Sequence, residues 1–124
     1  PTTNRMFIFA RRGQFSEASE GSVYMMTSDD FGSTWTTPTE QWVEPNINHT
    51  NLSGGVAANG DVIVFYVRYS APWPTFLSLN YRVSTDDGVT WGAEQTVNTG
   101  SDTIYSAYGK TETLNSPTGR LVTL

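Results

Sequence analysis

Arg12 and Arg68 each close an apolar run and stand 56 residues apart. A guanidinium fork at a strand end can meet a carboxylate with two parallel hydrogen bonds, which suits an anionic sugar. The competing reading is a side chain that snorkels at the rim or pairs with a carboxylate such as Glu17 or Glu20. Other residues of carbohydrate-binding type accompany them. Arg11 adjoins Arg12, and His49 is the single histidine, set among Asn46, Asn48 and Asn51. Trp73 is clamped between Pro72 and Pro74, and Asp102 lies near Tyr105 and Tyr108. Polar groups beside aromatic plates suit sugars. His49, in a polar stretch, reads as a solvated loop residue, the competing role being acid/base chemistry; one histidine makes no conventional zinc site. Trp73 either offers its ring to a ligand or packs beneath its own loop.

Such groups need a framework, and this chain is written for strands. Its 124 residues fit one domain, and 37% hydrophobic against 15% charged residues is a globular profile. A net charge of −5 argues against an extended basic surface for nucleic acid. No apolar run approaches the roughly 18 residues of a membrane span, and Pro1-Thr2-Thr3-Asn4-Arg5 does not read as a signal peptide. The absence of cysteine excludes disulfides, thiol nucleophiles and Cys-ligated metals. With no Gly-rich phosphate loop ahead of a helix and no cluster of metal ligands, neither cofactor nor metal is expected. Helical periodicity is missing throughout. The runs that alternate or concentrate β-formers predict strands over Arg5–Arg11, Ser22–Thr27, Gln41–Glu44, Gly55–Ala58, Asp61–Tyr69, Phe76–Ser84, Glu94–Asn98, Lys110–Leu114 and Arg120–Leu124.

The order of those strands follows from self-similarity. Ser28, Asp30, Gly32, Thr34 and Trp35 recur in the same register as Ser84, Asp86, Gly88, Thr90 and Trp91, 56 residues on. Thr3–Phe9 likewise aligns with Asn59–Phe65 and with Thr118–Leu124. One unit is therefore an inner strand, an apolar second strand, a third strand and an outer strand, which describes an antiparallel propeller blade. The all-β chain divides into a blade lacking its inner strand (1–45), a complete blade (46–100) and the start of a third (101–124). Within each eight-residue box the aspartate is placed to accept backbone N–H groups across a turn. The glycine supplies a conformation that a Cβ disfavours, and the tryptophan covers the blade. Asp29, Asp30, Asp86 and Asp87 also raise the idea of a calcium loop, but neither pair has the ligand spacing of known calcium motifs.

The string Ser-x-Asp-x-Gly-x-Thr-Trp, present twice without a departure, resembles the Asp-box, or BNR repeat, of the sialidase (neuraminidase) superfamily of β-propellers. With the strands around the boxes the resemblance spans nearly the whole chain. It implies a glycoside hydrolase acting outside the cell or on a cell or virion surface, with a Tyr nucleophile assisted by Glu and an Asp acid/base. An arginine triad would hold the substrate carboxylate. The matching residue types near one blade entrance are Asp102, Tyr105 and Glu112, and Glu112 precedes a Leu114–Leu121 segment similar to one at blade entrances of bacterial sialidase-like proteins. The family's Phe/Tyr-Arg-Ile-Pro motif is absent. Its nearest string, Tyr81-Arg82-Val83-Ser84, runs straight into a box and so belongs to a third strand. Either the first arginine of the triad lies in other sequence or there is no sialidase site. Asp-boxes also occur in propellers resembling xyloglucan hydrolases, lectins, sorting receptors and photosystem assembly factors. The alternatives to hydrolysis are thus a lectin-like, phage-tail or adhesin receptor-binding module and a protein-binding scaffold.

In a blade of this kind the inter-blade loop and the loop between second and third strands share one face, with the box on the other. That places Arg12, His49, Arg68, Trp73 and Tyr108 as the substrate-binding set, with glycan as the expected partner. Four blades at this period exceed 124 residues. The expectation is a fragment of a longer polypeptide, or several copies closing one ring, three two-blade chains giving six blades. Asn48-His49-Thr50 and Asn51-Leu52-Ser53 fit the N-glycosylation pattern, and no function is assigned to them.

Overall fold

The computed structural model describes residues 4–13, 20–71, 75–97, 111–113 and 121–123, the last two segments by backbone alone. The described residues contain no helix. The first antiparallel sheet is β1 (Met6–Arg12), β2 (Ser22–Ser28) and β3 (Thr39–Trp42), in that order. The second is β4 (Ile47–Val56), β5 (Val62–Ser70), β6 (Phe76–Ser84) and β7 (Gln95–Thr96). A third sheet pairs β8 (Thr111–Thr113) with β9 (Leu121–Thr123). Each predicted strand has an observed counterpart.

The main departure is the inner strand. The sequence places it at Gly55–Ala58, whereas β4 runs from Ile47 to Val56, so Asn48, His49 and Asn51 are strand residues. His49 is accordingly not a solvated loop residue: it is 1% exposed, and Asn48 is fully buried. Burial also removes Asn48 as a glycan acceptor in the folded chain. These polar residues hide the strand from a reading based on apolar alternation, because polar partners on the first sheet satisfy them. Gly21 N donates to Ile47 O at 3.2 Å and His49 N to Gly21 O at 3.1 Å, a short parallel bridge joining the two sheets. The Asn59-Gly60 turn did carry the information. Gly60 N donates to Ala57 O at 2.9 Å with Gly60 at φ +94°, closing a tight hairpin. A hairpin at that point gives the nine-residue β5 a partner of similar length on its other side.

Register fixes which ends lie together. Val56, Val62 and Ser84 align at one end, where the box after β6 lies. Ile47, Ser70 and Phe76 lie at the other, reached by the crossover from β3 that ends at Asn46. Across each strand successive side chains alternate between faces. Phe7, Phe9, Val23 and Met25 face the second sheet. Phe9 and Trp42 pack edge-on against Trp91 at 5.7 and 5.6 Å between centroids, and Trp42 lies 5.4 Å from Tyr66. Val23, Val64 and Tyr66 are fully buried in this seam. Two glycines permit the approach. A Cβ on Gly54 would lie 3.2 Å from the Phe9 ring, and one on Gly88, at φ +81°, 2.9 Å from the Phe7 ring.

Candidate functional site

At one end of the molecule the two boxes fold identically, from contacts that close within eight residues. Ser28 Oγ donates to Asp30 Oδ1 at 2.7 Å and accepts Gly32 N at 2.8 Å; Asp30 Oδ1 also accepts Thr34 N at 2.8 Å. Ser84, Asp86, Gly88 and Thr90 repeat those three bonds at 2.7, 2.8 and 2.8 Å. Gly32 and Gly88 sit at φ +85° and +81°, and the residues before them, Phe31 and Asp87, also take left-handed backbone at +57° and +59°. The tryptophans diverge. Trp35 Nε1 donates to Gly32 O within its own box at 3.1 Å, whereas Trp91 Nε1 reaches Gln41 Oε1 on the first sheet at 3.0 Å. Arg5 straps the end together, with Nε and Nη2 on the Asp29 carboxylate at 2.7 and 3.0 Å and Nη1 directed to Asp87 O at 3.4 Å. The hydroxyl and amide donors hold the Asp30 and Asp86 carboxyls at about 2, below their ordinary 3.8, Thr34 and Thr90 being the chief cause.

Nearer the opposite end, charged groups meet in the seam between the sheets. Arg68 Nη2 donates to both oxygens of Glu44, at 2.6 and 2.7 Å, and Arg68 Nη1 pairs with Glu94 Oε1 at 3.2 Å. Tyr66 donates its hydroxyl to Glu94 Oε2 at 2.7 Å and accepts Arg82 Nε at 3.1 Å. Arg82 lies 5.1 Å from the Trp42 ring centroid and donates from Nη1 to Gly92 O at 3.1 Å. His49 closes the cluster. Its Nδ1 is 2.9 Å from Gly21 O, which can only accept, so the proton sits on Nδ1. The bare Nε2 then lies 3.8 Å from Glu44 Oε2. Two guanidinium groups balance two carboxylates, so the seam holds no spare positive field for a substrate anion.

This arrangement decides what the predicted residues do. Arg68 is no open carboxylate fork, because Glu44 and Glu94 already occupy it. Arg12 lies exposed over Tyr24, 5.2 Å from the ring centroid, with Nη1 donating to Tyr24 Oη at 3.1 Å. Arg11 Nε donates to Asn48 Oδ1 at 2.6 Å. Glu20 accepts Asn46 N at 2.7 Å. Glu112 lies on β8 opposite Val122. Glu17, Trp73, Asp102, Tyr105 and Tyr108 fall outside the described residues. The seam residues Glu44, Tyr66, Arg82 and Glu94 were not singled out from sequence, since their partners stand 16 to 28 positions away. Tyr66 and Glu94 do form a tyrosine–glutamate pair. Yet the ring is fully buried, and that burial, then the bond to Glu94, raises the hydroxyl's pKa above its ordinary 10.0, which disfavours a phenolate nucleophile.

Acid should act on the fold twice. Burial, the leading cause, lowers the His49 pKa below 6.5, so the folded state favours neutral imidazole. Stability is then level above that value and falls on acidification, as the unfolded chain takes up a proton that the native state refuses. A second decline is expected from about 3.8 down to about 2, as Asp30 and Asp86 lose their ionised form. Urea midpoints between pH 8 and 2 would show both limbs, and His49→Gln should remove the upper one. A wild-type curve flat from pH 7 to 5 contradicts the His49 assignment.

No protein-family model matches the sequence, and no curated protein is similar to it. Among solved structures, the chain is similar to a protein of unknown function from Dyadobacter fermentans DSM 18053. The superposition has a TM-score of 0.67 at 19% identity and covers 94% of this chain. At that identity the likeness is one of fold. The chain spans 29% of the other protein's length.

Proposed function

We propose that these sheets are blades of a sialidase-type Asp-box β-propeller, whose whole protein hydrolyses terminal, anionic glycosides outside the cell. The observation that carries this reading is the pair of boxes, alike in the bonds among their serine, aspartate, glycine and threonine and set at the same end of two neighbouring sheets. The adjacency of β4 to β8, the inner strands of two successive units, supports inner strands gathered side by side. In this reading ligand binds at the crossover end, away from the boxes. Trp73 and Tyr108 supply stacking surfaces, Tyr105 assisted by Glu112 the nucleophile, and Asp102 the proton. The substrate carboxylate is held by groups other than Arg68, whose charge is already satisfied.

The test is release of sialic acid and related sugars by the intact polypeptide, run beside a glycan array. Release that Asp102→Asn abolishes, with array binding kept, supports hydrolysis. Array binding without release, lost in Trp73→Ala, favours the lectin or receptor-binding alternative. Neither release nor binding overturns the carbohydrate reading and leaves the protein-binding scaffold.

A further inference from the structure

The His49 ring is hydrogen-bonded on one side only. Its Nδ1–H is fixed on Gly21 O at 2.9 Å, and the ring stands edge-on to Tyr66, 5.4 Å between centroids. Nε2 faces the Glu44 carboxylate across 3.8 Å, about 1 Å longer than a charge-assisted N–H···O bond. Glu44 is able to close that gap. It lies in the crossover between β3 and β4, outside either strand, and its side chain is 45% exposed. A single nitrogen, Arg68 Nη2, holds both of its oxygens, at 2.6 and 2.7 Å, while Arg68 Nη1 is engaged with Glu94. The carboxylate can therefore keep Oε1 on Arg68 and turn Oε2 toward His49. With the ring neutral nothing draws it there, because Nε2 is then an acceptor facing an acceptor.

We propose that His49 and Glu44 form an acid-operated latch between the two sheets: a proton on Nε2 pulls Glu44 Oε2 from Arg68 onto the imidazolium, so that Glu44 bridges β4 and β5. Burial of the ring, the foremost influence, confines that protonation to acid. The charged groups around it come from every neighbouring element. Glu44 from the crossover and Glu94 ahead of β7 favour the proton, and Arg68 of β5 opposes it. Arg11 of β1 and Arg82 of β6 are turned to other partners, Asn48 Oδ1 and the Tyr66 hydroxyl. With His49 protonated the seam carries three cations, Arg68, Arg82 and His49, against Glu44 and Glu94, so it passes from neutral to singly positive. The end opposite the boxes thus has two states selected by pH: acid weakens the fold as a whole but ties the crossover down locally. The inference rests on the seam alone, and neither closure of a propeller nor sugar binding enters it.

The experiment follows the His49 ring by NMR through a pH titration of the full polypeptide labelled at histidine Cε1, the signal being identified by its absence from His49→Gln. His49 should titrate within the folded state, and the amide of Ile47, which donates to Glu44 O at 3.2 Å, should shift with the same midpoint. Glu44→Gln should weaken proton binding about tenfold, lowering the midpoint by about one pH unit, and abolish the coupled amide shift. Glu94→Gln removes a carboxylate that makes no contact with Nε2, so it should lower the midpoint less and keep the coupled shift. Equal midpoints in wild type and Glu44→Gln overturn the proposal. So does an Ile47 amide that ignores the titration, or an equal fall in Glu94→Gln, which makes charge alone the cause. Global unfolding before the ring takes up its proton also refutes it, since no protonated latch then forms.

Discussion

Replacing Tyr66 by alanine is expected to cost about 4 kcal/mol of stability, the largest effect of any single substitution in the seam. The ring is fully buried between Trp42 and His49, 5.4 Å from each centroid. Its removal opens a cavity that two backbone-hydrogen-bonded sheets cannot collapse to fill. Tyr66→Phe separates the hydroxyl from the ring. It should cost about 1 to 2 kcal/mol, because Glu94 Oε2 and Arg82 Nε lose their shared partner while the packing stays. Urea unfolding of both variants measures the difference. A cost under about 1 kcal/mol for Tyr66→Ala would mean that the sheets do not pack through this ring.

Arg68→Met should destabilise the chain by about 2 to 3 kcal/mol. Removing one member of a buried ion pair generally costs somewhat more, and water reaching the half-exposed Glu44 moderates the loss. The loss arises because Glu44 and Glu94 then face each other with no cation between them. Adding Glu94→Gln to Arg68→Met should recover about 1 kcal/mol, whereas independent sites would simply add their costs. The same variant separates two roles for Arg68. A substrate fork predicts lost glycan binding at unchanged stability; a seam arginine predicts the reverse.

The arginines show why one residue type yields two readings. From sequence, Arg12 and Arg68 are equivalent strand-end cations, and a guanidinium there is equally able to bind a ligand carboxylate or a protein one. Which occurs depends on whether a neighbouring sheet delivers a glutamate, and Glu44 stands 24 residues from Arg68, across a change of sheet. His49 teaches the same lesson in reverse. Its polar neighbourhood suggests solvent, but that neighbourhood is polar because Gly21 and Arg11, from the first sheet, supply the bonding partners of His49 and Asn48.

What is local or periodic was legible in the order of the residues. The boxes close through bonds spanning two to four residues, so Ser28 to Thr34 and Ser84 to Thr90 carry their turns locally, while Trp91 takes its partner, Gln41, from the first sheet. Strand positions followed from runs of β-formers bounded by turn residues, and the 56-residue period ordered them into units. The length of β4, the burial of His49 and Asn48, and the capture of Arg68 by two glutamates came instead from contacts between sheets. Each depends on which side chains of one sheet meet which side chains of the next. That meeting is set by packing between surfaces whose residues are distant in the chain, and no local pattern encodes it.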